Sequence, residues 1–197
     1  MSLIQRVLEN AKERREKILS GKVNCIPSPF KTFRYDFPGV ELGTYYLVSG
    51  GAKSSKSKIT NFLFLFNSIL YAYYHPELVR LKVFYALLEE KAENITGKFI
   101  CYLLYILSDK RIRIDIKTFK SVDEDRILSP EILQLLGTLE YQSILRFFEE
   151  HVVFIPDRNP TGVYHTLEKY AEANGTIHRK KVEGYEKEIF DYYEPND

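Results

Sequence analysis

The stretch from Gly43 to Asn67 constrains the fold of this chain more than any other, because its composition changes character twice. Thr44, Tyr45, Tyr46, Leu47 and Val48 are β-branched, aromatic or aliphatic, which predicts a strand buried on both faces. Ser49-Gly50-Gly51-Ala52-Lys53-Ser54-Ser55-Lys56-Ser57 then reads as a loop. Ile59, Phe62, Leu63, Phe66, Ile69 and Leu70 follow at helical spacing. A strand feeding a helix through such a loop leaves backbone N–H groups unpaired at a helix start, where the dipole favours an anion. The phosphate-loop pattern asks for Gly, four residues, Gly, Lys, and then Ser or Thr. Gly50 fills the first position, Lys56 the lysine and Ser57 the hydroxyl, while Ser55 stands where the second Gly belongs. If that position demands a left-handed backbone, its Cβ costs about 1 kcal/mol. The plainer alternative is a polar turn that never meets a phosphate.

A chain of 197 residues is long enough for one α/β domain with a sizeable core, and too short for two ordinary ones. The formal net charge of +1 excludes a general polyanion binder, so any nucleic-acid contact has to be local. Cys25 and Cys101 sit in dissimilar contexts, which suggests a reducing, cytoplasmic compartment and not a disulfide framework. Residues 1–21 are charged throughout and do not read as a signal peptide. The most apolar stretch, Phe62 to Tyr74, is too short to span a bilayer, so no membrane partner is expected.

Residues 1–21 form a predicted helical arm: Ser2 and Gln5 make a capping box, Gly21 is a stop, and Leu3, Ile4, Val7, Leu8, Ala11, Ile18 and Leu19 make an apolar stripe for packing or oligomer contact. Residues 25–43, rich in Pro and Gly, read as an irregular lead-in pinned to a core by Ile26, Phe30, Phe33, Tyr35 and Phe37. Val83 to Leu88 reads as a second buried strand ending at Glu89-Glu90, on the rim where α/β sheets bind ligands. Those acids equally suit the first turn of the helix expected over Ala92 to Leu107. Ile112, Ile114 and Ile116 alternate with Arg113, Asp115 and Lys117, which predicts a short half-buried strand. Helices are expected from Ser129-Pro130 and over Leu139 to His151, then a third buried strand, Val152 to Pro156. A further helix follows Pro160 and closes at Asn174-Gly175, and residues 186–197 read as a tail or linker. His75, His151, His165 and His178 lack metal-ligand spacing.

Three features in this order resemble the ATPase core of RecA-fold replicative DNA helicases of the DnaB type. These are the lead-in Ile26-Pro27 with Pro38-Gly39-Val40-Glu41-Leu42-Gly43, the loop Gly50 to Ser57, and Leu88-Glu89 at a strand end. The resemblance covers roughly residues 26–175 and implies a P-loop NTPase, RecA-like α/β fold: a partial three-layer α/β/α sandwich with a mainly parallel sheet over residues 22–185. It implies ATP and Mg²⁺ as cofactors, held by Gly50, Gly51, Ala52, Lys53, Ser54, Ser55, Lys56 and Ser57. Lys56 would meet the β/γ-phosphates, Ser57 would ligate the metal, and Glu89 would activate water, with Glu90 as runner-up. A ring-shaped homo-oligomer and single-stranded DNA are the implied partners.

The family pattern continues with an apolar strand ending in a metal-binding Asp, and none is legible after Gly184. Asp157 is an outside candidate for that ligand. Without that strand the Thr44–Val48 segment lacks a ladder neighbour, and buried unpaired backbone is costly. The chain therefore reads as a truncated helicase motor, inactive alone. A partner chain supplying strands, or a rearranged sheet, are the structural alternatives. The functional alternatives are a non-catalytic adaptor with a degenerate loop, or a small P-loop kinase, for which Arg111 and Arg113 are weak substitutes for a lid cluster.

Overall fold

A computed structural model describes residues 2–182, 184 and 188–196. The chain divides into two compact units, Met1–Val83 with Glu93–His151, and Phe84–Ala92 with Val152–Asp197.

The first unit is mainly helical. Helix α1 (Leu3–Leu19) starts on the expected capping box, with Ser2 Oγ accepting from Gln5 N and Gln5 Oε1 accepting from Ser2 N. It buries no residue, and its one charged anchor is Arg14, whose guanidinium donates two 3.0 Å bonds to the Glu41 carboxylate. The lead-in forms a short antiparallel pair, β1 (Ile26–Pro27) with β2 (Gly39–Val40). Gly39 is obligatory there: a Cβ would stand 2.0 Å from the Ile26 carbonyl oxygen. Between them a 3₁₀ turn, Lys31–Tyr35, carries Tyr35 out into solvent, so only part of the predicted aromatic pinning forms. Phe37 does pack, against Tyr46 and Phe64 at ring distances of 5.4 and 6.4 Å.

The predicted loop helix forms in three parts, α2 (Lys56–Thr60), a π-helical turn (Asn61–Phe66) and α3 (Asn67–Tyr74). The widened turn shifts the helical register, so Leu65 is buried although it falls off the predicted stripe, and Ile59 is exposed. Ser68 Oγ donates to the Leu63 carbonyl, five residues back, along the same stretch. Helix α4 (Ala92–Leu107) and α7 (Leu139–His151) complete the core. Phe99 is fully buried, stacked on Phe148 with ring centres 4.3 Å apart and tilted against Phe66 at 5.4 Å. Tyr73 and Ser143 share a 2.7 Å hydroxyl bond between α3 and α7. Helix α6 (Pro130–Leu136) opens with Pro at its first turn, as expected.

Two predicted strands of this unit do not form. Thr44–Val48 runs without a strand partner among the described residues, and Tyr45 and Leu47 face solvent. Ladder bonds need a neighbour, and none lies there to convert the apolar run into sheet. Ile112–Lys117 is likewise no strand: Asp115 caps the short helix α5 (Ile116–Phe119), accepting from Thr118 N at 2.8 Å. The local cap outcompetes the alternating pattern.

In the second unit, β3 (Val83–Ala86) and β4 (Val152–Ile155) form a two-stranded sheet. Strand β3 is half-buried and shorter than predicted, and Leu88 is exposed. Helix α8 (Pro160–Asn174) begins on Asn159, whose side chain accepts from Thr161 N. Within the predicted tail, Ile189–Pro195 forms a strand, β6, which pairs antiparallel with β5 (Gly175–Lys180). Cross-strand pairs Lys180–Asp191 at 2.7 Å and His178–Glu194 at 3.1 Å line that register. Glu183, Tyr185, Glu186, Lys187 and Asp197, part of the predicted acidic tail, lie outside the described residues. The chain is thus mixed α/β, but the expected single, mainly parallel sheet is replaced among the described residues by three two-stranded sheets, two of them antiparallel.

Candidate functional site

The loop Ser49–Ser55 leads into α2 through two left-handed residues, Lys53 at φ 59° and Ser55 at φ 63°. Neither Gly50 nor Gly51 takes a positive φ, so the strain sits on residues with a Cβ. Ser55 therefore adopts the backbone that the second Gly of the pattern would supply, and it caps α2 without a side-chain bond to its N–H groups. Gly50 lies close under Ser54: a Cβ there would stand 2.7 Å from Ser54 Oγ.

The Lys56 side chain folds back over this loop. Its ammonium donates to the Gly50 and Gly51 carbonyl oxygens, both at 2.7 Å. Those two bonds close the segment into a ring of backbone whose cation sits at its mouth. Ser57 follows on the first turn of α2 and is exposed, as are Gly51, Ala52, Lys53 and Ser54. The groups here that could meet an anion are one ammonium and one hydroxyl, at the start of α2.

The other predicted site residues lie in later segments of the sequence. Glu89 is exposed on the turn after β3 and belongs to the second unit, as does the half-buried Glu90. Asp157 is committed to the start of α8, where its carboxylate accepts from Asn159 N at 2.9 Å and covers the open face of Gly162. That bond is a local turn ahead of Asn159, the residue that caps α8. Among the described residues no group of three or more His, Cys, Asp or Glu side chains is placed to hold a metal ion, and no helix is long and apolar enough to cross a membrane.

Two cavities in the first unit were not legible in the sequence. One, of about 200 Å³, is lined by Cys25, Ile26, Val40, Leu42, Leu78 and Leu81 among others. The second, an open hollow of about 470 Å³, is bounded by Cys101, Tyr102 and Tyr105 of α4 and by Arg113, Ile114 and Asp115. Burial pushes the Cys101 thiol up to about 11 and the Tyr102 hydroxyl up to about 12, so both stay protonated at neutral pH. Arg113 lies 5.8 Å from the centre of the Tyr105 ring, and its Nε donates to the Lys110 carbonyl rather than forming part of a lid cluster. These residues come together only because α4 ends in two left-handed residues, Asp109 and Lys110, which turn the chain back. No protein-family model, curated protein or solved structure matches this chain.

Proposed function

We propose that the first unit binds a nucleoside triphosphate, ATP with Mg²⁺, at Gly50–Ser57, as the nucleotide-binding portion of a RecA-like motor of the DnaB helicase type. One observation carries this reading: the Lys56 ammonium is bonded across the loop to Gly50 O and Gly51 O, with Ser55 held left-handed ahead of α2. The Lys56 ammonium and the Ser57 hydroxyl stand at the start of one helix, where an anion is favoured. On this reading Lys56 exchanges its two carbonyl partners for phosphate oxygens. Ser57 offers its hydroxyl to the metal, which would screen the phosphate charge. The single-stranded DNA track and further copies in a ring belong to the working assembly on this reading.

Titration with a fluorescent ATP analogue in the presence of Mg²⁺ tests the reading. Binding is expected to saturate with the unaltered chain and to weaken by about tenfold or more in Lys56→Ala, the loss of one charge-assisted contact. Equal signals from both proteins would remove the nucleotide site. The non-catalytic adaptor reading would then stand, favoured by the Cβ at Ser55 and by the unpaired Thr44–Val48 segment.

A further inference from the structure

The smaller cavity of the first unit has walls of one chemical kind. It lies where β1 and β2 meet the chain that follows α3, and Val23, Ile26, Val40, Leu78, Val79 and Leu81 make most of its lining. Apart from Ile26 these side chains are only half-buried, so the hollow is apolar surface that the fold leaves uncovered. Leu42 also lines it and is fully exposed, so the space opens to solvent. Its volume is about 200 Å³, and an apolar cavity of about 150 Å³ already takes up benzene. A close backbone approach holds the wall in shape. A Cβ on Gly39 would stand 2.0 Å from the Ile26 carbonyl oxygen and 3.0 Å from Cys25 Sγ.

Two charged side chains line the cavity among the described residues, and only one of them is free to meet a ligand. The Glu41 carboxylate is taken up by its two bonds from Arg14. Arg80 is exposed, and its guanidinium makes no hydrogen bond or ion pair with another described residue. The wall offers no thiolate either: burial pushes the Cys25 thiol up, and the Glu41 charge adds to that. An apolar hollow beside one unpaired cation suits a ligand that is apolar and singly negative. We propose that this cavity binds a small monocarboxylate whose body is a single aromatic ring or a branched alkyl group. The body lies against Val23, Ile26, Val40, Leu78 and Leu81, and the carboxylate pairs with Arg80. A cationic ligand would meet no free carboxylate there, and a polyphosphate would meet one cation over an apolar floor. The cavity shares no residue with Gly50–Ser57, so the proposal stands whether or not that loop binds nucleotide.

Phenylacetate is the probe, with benzyl alcohol and benzylamine as its neutral and cationic counterparts, each titrated into the whole chain and followed by protein NMR. Phenylacetate is expected to saturate one site and to bind about tenfold or more tighter than either counterpart, the effect of one charge-assisted contact. Arg80→Gln should remove that advantage and leave benzyl alcohol binding as it was. Arg80 is exposed, so far-UV circular dichroism of the variant is expected to match the unaltered protein. Cys25 reports the location without any substitution. Bound phenylacetate should slow alkylation of Cys25 by N-ethylmaleimide and leave that of Cys101 unchanged, read by mass spectrometry of the peptides. Absence of saturation by phenylacetate overturns the proposal, and so do equal affinities for the three probes. An Arg80→Gln variant that keeps the preference for phenylacetate, or binding that leaves Cys25 alkylation unchanged, overturns it as well.

Discussion

Ser55 shows how one residue position was legible before its geometry was. The motif spacing says where a second Gly belongs, and the structure puts a left-handed backbone at that position with a Ser in it. Two small effects oppose each other in Ser55→Gly. Relief of strain is worth about 1 kcal/mol, and the extra freedom of the unfolded Gly chain takes back about 0.4–1 kcal/mol. Urea unfolding of Ser55→Gly should therefore sit within about 0.5 kcal/mol of the unaltered protein. Ser55→Val should destabilise by about 1–3 kcal/mol, because a β-branched side chain resists that backbone region far more. The fold-back of Lys56 onto two carbonyl groups was not legible, since motif spacing names the lysine without naming its partner when no phosphate is present.

Among the elements, local signals held wherever they were complete in themselves. The capping box of α1 satisfies an orphan N–H with a nearby side chain, and Pro130 and Pro160 open α6 and α8 without an N–H to leave unpaired, so these helix starts form as read. The attachment of α1 is a different matter, because Arg14 and Glu41 are far apart in the chain. The Arg14 hydrogen bond holds the Glu41 carboxyl below its ordinary value of 4.5, and Glu41 in turn raises Arg14. A depressed carboxylate contributes stability above its unfolded value and loses it as pH falls through the folded one. The attachment is accordingly full above pH 4.5 and lost on further acidification. An NMR titration of the Glu41 carboxyl carbon should give a midpoint below 4.5, returning towards it in Arg14→Ala. A midpoint unchanged by that substitution would mean the pair does not anchor the helix. The strands fared worse: Thr44–Val48 has the right residues and no strand partner among the described residues, and Ile112–Lys117 lost to the Asp115 cap.

For the whole molecule, the largest concentration of burial among the described residues lies in the first unit, where Phe66, Phe99 and Phe148 pack ring against ring between helices. Phe99→Ala should cost about 3–5 kcal/mol, a large share of the roughly 5–15 kcal/mol that ordinary domains possess. Urea unfolding followed by far-UV circular dichroism would register it as a lower midpoint, and an unchanged midpoint would place the core elsewhere. By itself the amino-acid sequence determined the longer helices, the capping box of α1 and the loop between Val48 and Lys56, because those depend on residues within a few positions of one another. Only the tertiary structure decided which apolar runs become strands, that the tail is a strand pair, and that the described chain makes three small sheets in two units. A helix closes its hydrogen bonds within itself, whereas a strand borrows its partners from chain that is distant or absent, and no local pattern states where that chain will be.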